Sequence, residues 1–159
     1  MIQKDKIISI LKNKLKFNQI SINKLNIFVN SLLKFNLKYN LVSKSTLPVI
    51  WHRHIYDSAQ IIPLIDFKSK GVLADFGTGG GFPGLVLSIF NKNPDFHVKL
   101  FDKSPVKIMF LKDQIKKFVE TEVKPEGLKW EADGFIPREV FKKMGALGFL
   151  GITYPAEFG

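Results

Sequence analysis

Residues 72–84, Val72-Leu-Ala-Asp-Phe-Gly-Thr-Gly-Gly-Gly-Phe-Pro-Gly84, decide the fold. A short apolar run, Val72-Leu73-Ala74, ends on Asp75. Gly77, Gly79, Gly80 and Gly81 follow, and Gly84 opens a second apolar run, Leu85-Val86-Leu87. This order predicts a buried strand, a glycine turn and the first turn of a helix. Glycine has no Cβ, so the turn allows backbone to approach a ligand closely. A helix start beyond it offers free N–H groups. The arrangement predicts half of a cofactor site.

Gly79, Gly81 and Gly84 satisfy G-x-G-x-x-G, which alone is a weak sign of a dinucleotide. A P-loop is excluded, because no Lys-Ser or Lys-Thr follows the glycines. Asp75 separates the remaining options. At a strand end it would set a carboxylate beside the pyrophosphate of NAD or FAD, which is repulsive. S-adenosylmethionine has no phosphate and carries an ammonium and a sulfonium, so a carboxylate helps to hold it, directly or through water. A second apolar run, Val98-Lys99-Leu100-Phe101, ends on Asp102. That acid lies near the spacing at which a carboxylate meets the ribose of an adenosine. It serves NAD and S-adenosylmethionine equally. The plain alternative is a tight turn with no ligand, but four glycines and two strand-end acids exceed what a turn needs.

The segment Asp75-Phe-Gly-Thr-Gly-Gly-Gly-Phe-Pro-Gly84 resembles the cofactor loop of the RsmG (GidB) family, which methylates N7 of a guanine in 16S ribosomal RNA. The likeness continues upstream through Asn40-Leu41-Val42 and Trp51-His-Arg-His-Ile-Tyr-Asp-Ser58. Downstream it runs through Leu100-Phe-Asp-Lys-Ser104 and covers residues 1 to about 112. The resemblance implies S-adenosylmethionine as cofactor, with Asp75, Gly77, Gly79, Gly81, Phe82 and Asp102 around it and Asp102 on the ribose. It implies 16S rRNA or the small ribosomal subunit as partner. The family often has Leu or Phe where Phe82 stands. It also places His52, Arg53 and His54 beside the pocket, where Arg53 and His54 would contact RNA. The competing reading of His54 is a structural tie between helical cap and Rossmann-like part, and His52 is expected in solvent. N7 of guanine carries a free lone pair, so methylation needs no deprotonation, and positioning supplies most of the rate. No residue is therefore assigned as catalytic.

Composition changes partway along the chain. The formal charge is +10 over 159 residues, which suits a polyanion such as RNA or an anionic surface. Met1 to Lys112 hold 17 Lys or Arg against 6 acids, whereas Asp113 to Gly159 hold 7 against 8. Glutamate first occurs at Glu120, and asparagine last occurs at Asn93. A boundary near residue 112 is the simplest account. Beyond it, Ile115-Lys-Lys-Phe-Val-Glu-Thr-Glu-Val-Lys-Pro125, Trp130-Glu131, Pro137 to Gly145 and Leu147 to Pro155 resemble the start of an acyl-CoA dehydrogenase. That likeness implies helices and, for the whole family, FAD. The family's flavin contacts and glutamate base lie further along than Gly159, so no functional residue is carried over. The acids from Glu120 to Glu157 read as a solvated helix face.

The expected fold class is α/β: a truncated Rossmann-like methyltransferase, followed by a short all-helical segment. A helical cap spans 1–66, a Rossmann-like part 67–112 and the dehydrogenase-like segment 113–159. Neither part carries a full site, so the join reads as a recombined or misassembled frame. The leading expectation is an RsmG-like domain inactive by itself. The rivals are a fragment of a flavin-dependent acyl-CoA dehydrogenase and a basic RNA-binding fragment without catalysis.

Periodicity predicts helices at 4–16, at 22–38 capped by Ser21, and at 47–62 with Thr46 as N-cap and Pro63 as stop. Leu25, Phe28, Leu32 and Phe35 form the core stripe of the second. Strand 71–76, helix 84–91, strand 97–102 and helix 105–124 then make a βαβα unit, whose crossover should be right-handed. A loop at 126–135 and a helix at 137–147 follow, and 149–154 could be extended. Trp51 reads as core. Most of the lysines at 12, 14, 16, 24, 34, 38 and 44 read as polar helix faces. No apolar run reaches membrane-spanning length, and the N-terminus reads as mature sequence. Zero cysteines exclude disulfides and fit a cytoplasmic setting. No zinc site is expected, since His97 lies far from His52 and His54. Two strands would leave open edges, which predicts self-association.

Overall fold

A computed structural model describes residues 4–118. The expected elements after Phe118, including the end of the helix at 105–124, lie outside the described residues. Within them the order is α1 (Lys4–Asn13), α2 (Gln19–Asn36), a 3₁₀ turn (Lys44–Val49), a π-helical turn (Trp51–Tyr56), α3 (Asp57–Ala59), a 3₁₀ turn (Ile62–Leu64), β1 (Gly71–Phe76), α4 (Gly84–Phe90), β2 (Phe96–Phe101) and α5 (Pro105–Phe118). The architecture of the described residues is α/β: a helical cap against a small parallel sheet and its helices.

Helix α2 begins three residues earlier than its apolar period suggests. Asn18, not Ser21, is the N-cap, and its side-chain oxygen accepts from the Ser21 N–H at 2.7 Å. An Asn cap satisfies one of the orphan donors of the first turn. The Ser21 hydroxyl is free to work elsewhere, and it donates to the Ile89 carbonyl at 3.0 Å, tying α2 to α4. Leu25, Phe28 and Leu32 are buried as the stripe requires. Phe35, at its end, is half-buried against Phe110, with ring centroids 5.2 Å apart.

The expected single helix at 47–62 is instead four short turns of changing pitch. Pro48 lies inside the first 3₁₀ turn and Pro63 inside the second. Pro48 lies in the opening turn, where a missing N–H is tolerated, and Pro63 follows the last expected residue, so neither proline accounts for the π-helical turn between them. Trp51, Ile55, Ala59 and Ile62 still reach the core, because burial depends on where side chains point rather than on one regular pitch.

Strands β1 and β2 pair in parallel, with Gly71 opposite Phe96 and Phe76 opposite Phe101. Phe96, Val98 and Leu100 of β2 are buried with Leu85, Val86 and Leu87 of α4. Asn91 fastens the far end of α4, since its side-chain amide donates to the Phe96 carbonyl at 2.7 Å. On the opposite face Val72 is 59% and Phe76 78% exposed. Parallel sheets ordinarily bury both faces, but among the described residues nothing covers this side of β1.

Gly84 is where α4 lies closest to the sheet. A Cβ there would run into Cδ2 of Leu100 and sit 2.7 Å from Oδ2 of Asp75. Gly84→Ala is therefore expected to lower stability by about 1–3 kcal/mol, the usual cost of overpacking. A urea midpoint equal to that of the wild type would refute this close packing.

Candidate cofactor site

The parallel register sets both strand-end acids at the same edge of the sheet, where α/β folds hold ligands. The chain leaves β1 still on its ladder: the N–H groups of Gly77 and Thr78 donate to the Phe101 carbonyl at 2.7 and 3.0 Å. It then turns through Gly77, Gly79 and Gly81 at φ of 77°, 61° and 100°. These are left-handed conformations that a side chain would strain. The glycines at these three positions are required by the path itself.

Asp102 grips the middle of the loop. Its Oδ2 accepts from the Gly79 N–H at 2.8 Å and its Oδ1 from the Ser104 N–H at 2.8 Å. Lys107 Nζ stands 4.0 Å from Oδ2. Burial works to raise the pKa of Asp102. The Ser104 and Gly79 N–H groups and the Lys107 charge outweigh it, and the carboxyl titrates below its ordinary value. A cavity of about 700 Å³ opens beside it, lined by Phe76, Gly77, Phe101, Asp102, Lys103 and Lys107 among others. Phe76 and Phe101 are stacked there, with centroids 4.8 Å apart and planes 17° from parallel.

Asp75 has a different neighbourhood. It is buried, and its Oδ2 accepts from the Gly84 N–H at 2.8 Å. It holds the start of α4 and does not line the cavity. Phe82 also faces away from the cavity, toward the helical cap. Its ring lies 5.3 Å from Phe28 of α2 and 4.8 Å from His54 of the π-helical turn. The structure thus gathers Gly77 and Asp102 at the cavity, while Asp75 and Phe82 anchor the loop from behind.

Arg53 and His54 share the π-helical turn but not a role. Arg53 is exposed, with Nη1 3.8 Å from Asp57 Oδ2. His54 is half-buried, and its Nε2 lies 2.8 Å from the Thr46 hydroxyl. Burial pushes its pKa below 6.5; Asp57 opposes this and Arg53 adds to it. His52, expected in solvent, is partly exposed and stacks on Tyr56 at 5.9 Å. Thr46 does not cap a long helix; its hydroxyl donates to the Ser43 carbonyl at 2.7 Å. Lys107 and Thr46 are among the site residues that the sequence does not reveal, with Phe76, Phe101 and Lys103. Lys107 differs in no visible way from its neighbours Lys103 and Lys112, and Thr46 meets His54 from the preceding 3₁₀ turn. No group of three metal-ligating side chains occurs among the described residues.

Because the folded pKa of Asp102 is depressed, its contribution to stability is present above the unfolded carboxylate value. It is lost as pH falls through the folded one. The wild type should therefore lose stability more steeply below about pH 4 than Asp102→Asn. Denaturant unfolding over a pH series measures this, and parallel curves would contradict it.

Two families match different parts of the chain. The sequence profile described as "Acyl-CoA dehydrogenase, N-terminal domain" matches residues 109–159, which are similar to that domain. Proteins named "Ribosomal RNA small subunit methyltransferase G" match the larger part. That of Bartonella tribocorum is 40% identical over 89 residues, covering 55% of this chain and 41% of the relative. That of Rhodopseudomonas palustris is 38% identical over 93 residues, covering 58% and 41%. That of Pelagibacter ubique is 39% identical over 127 residues, covering 74% and 59%. The chain spans about two-fifths to three-fifths of the length of these relatives. The profile described as "rRNA small subunit methyltransferase G" (GidB) matches residues 21–132, more than half of the chain, which therefore belongs to that family.

Proposed function

We propose that residues 1 to about 112 form the S-adenosylmethionine-binding part of a methyltransferase acting on N7 of a guanine in 16S rRNA. The observation that carries this reading is the placement of Asp102 and Gly77 together on the rim of one cavity. The residues suit the cofactor. A carboxylate at the end of β2 accepts from the two ribose hydroxyls, and a loop without Cβ atoms lets the ligand lie against backbone. When bound, the cofactor supplies a methyl group already activated on a sulfonium. The chain's own work is to hold and orient. Asp102 fixes the ribose, Gly77 lies against the ligand, Gly79 and Gly81 carry the turn behind it, and Phe82 keeps the loop against the cap. Asp75 holds the helix start and adds negative charge at the strand end.

The RNA partner, 16S rRNA or the small subunit, is read from charge. Lys12, Lys14, Lys16, Lys34, Lys38 and Lys44 are exposed, and Arg53 projects beside His54. These favour retention of RNA even without methyl transfer. The two strands and one cavity wall among the described residues do not orient two substrates, so this part is read as catalytically silent by itself. The tail, similar to a dehydrogenase domain, receives no flavin role. Its boundary is placed near residue 112, inside the 109–132 overlap of the two family matches. No helix among the described residues is long and apolar enough to cross a membrane, and a cytoplasmic setting accompanies an rRNA substrate.

Calorimetry with S-adenosylhomocysteine tests the assignment. Asp102→Ala should weaken binding by about 1–3 kcal/mol, the worth of a hydrogen bond to a charged group. Equal binding by both proteins sinks the cofactor reading. In the same preparation, retention of 16S RNA should fall steeply with salt, and retention indifferent to salt rules out the electrostatic partner.

The bare face of β1 is the surface assigned to self-association with a second copy. Burying Val72 and Phe76 favours pairing, while a formal charge of +10 per chain opposes it. Added salt screens the repulsion, so association should strengthen with salt while RNA binding weakens. Sedimentation velocity should show concentration-dependent mass for the wild type and a monomer for Phe76→Glu. A wild type that stays monomeric at all concentrations excludes this surface.

A further inference from the structure

The helical cap meets the glycine loop through two aromatic partners of Phe82, and one of them is set by a hydrogen-bond chain of fixed direction. A hydroxyl carries a single proton. Thr46 gives its proton to the Ser43 carbonyl at 2.7 Å, so at His54 Nε2, 2.8 Å away, the same oxygen must accept. The proton on that bond therefore belongs to Nε2. A neutral imidazole carries one ring proton, so Nδ1 is left as an acceptor. Burial keeps the ring in its neutral form near neutral pH, since it outweighs the opposing charge of Asp57.

The ring so fixed lies on Phe82 at a 4.8 Å centroid distance, with planes 29° apart. Phe28 meets Phe82 at 5.3 Å. Phe82 follows Gly81, whose φ is 100°, and its N–H donates to the Thr78 carbonyl at 2.9 Å. One of its ring carbons lies 3.5 Å from where a Cβ on Gly80 would stand. Displacing Phe82 would therefore displace the residues between the two carboxylate anchors at Gly79 and Gly84.

We propose that Thr46 and His54 are positioning residues for the glycine loop: Thr46 fixes His54 as the Nε2–H imidazole and holds its ring on Phe82, which sets the second half of the loop. The effect on ligand affinity rests on the methyltransferase reading above; the effect on the loop does not. Histidine-selective ¹⁵N labelling and long-range proton–nitrogen correlation of the full chain report the tautomer directly. The wild type should show His54 protonated at Nε2 and bare at Nδ1. In Thr46→Val the two tautomers should mix, and the amide resonances of Gly79, Gly80 and Gly81 should move. Affinity for S-adenosylhomocysteine should fall about three- to tenfold, the factor for one neutral hydrogen bond. Thr46→Ser should restore all three readouts. A wild-type His54 protonated at Nδ1 overturns the proposal, as does a Thr46→Val protein whose loop amides stay in place. If the amides move in Thr46→Val and return in Thr46→Ser while no form binds the ligand, the positioning stands and the methyltransferase reading falls.

Discussion

Two carboxylates at the ends of neighbouring parallel strands hold the glycine loop, and the rest of the site depends on that hold. Asp102 accepts from the Gly79 N–H and Asp75 from the Gly84 N–H, each at 2.8 Å. Between those points the chain occupies left-handed backbone at Gly79 and Gly81. The loop closes on itself through the Gly81 and Phe82 N–H groups, which both donate to the Thr78 carbonyl at 2.9 Å. The two aspartates add charge-assisted bonds at its flanks, and bonds of that kind are stronger than neutral ones. The same bonds divide the acids by role, one at the cavity and one behind the loop.

The cap contributes by pressing on the loop from the other side. Leu32 and Val42 stand 3.3 and 3.4 Å from where a Cβ on Gly80 would be. Asn36, buried in α2, accepts from the Leu41 and Val42 N–H groups at 2.9 and 3.0 Å. That pair of bonds fixes the segment Asn40-Leu41-Val42 next to the glycines. His54 and Phe28 meet Phe82 from the same side. The cap is thus one wall of the loop, and its helices are joined to α4 by the buried Ser21 hydroxyl as well as by apolar contact.

The cap lysines at 12, 14, 16, 34, 38 and 44 are exposed, and Lys12 and Lys34 lie on α1 and α2 while the others lie between or after those helices. Uncovered apolar surface occurs both in the cap, at Ile20, Ile27, Leu37 and Leu64, and on β1. A sheet of two parallel strands cannot bury both of its faces with the helices described here, so Val72 and Phe76 remain in solvent while Phe96, Val98 and Leu100 are enclosed.

The sequence by itself determined the βαβα unit, because the alternation of short apolar runs with glycine and proline is local chemistry. Gly71, Gly84 and Pro105 open elements within a residue of where composition alone sets them. It also identified Asp102, whose distance from the glycine loop follows from strand and helix lengths. The cap was less legible. A period of apolar residues finds the buried face at 47–62 but not the changes of pitch along it. Only tertiary structure decided what Asp75, Phe82, Thr46 and Lys107 touch. A strand-end acid can point to a ligand or to the next helix, and nothing local distinguishes these. The choice is made by how closely α4 lies on the sheet at Gly84, which brings an unpaired N–H within reach of the carboxylate.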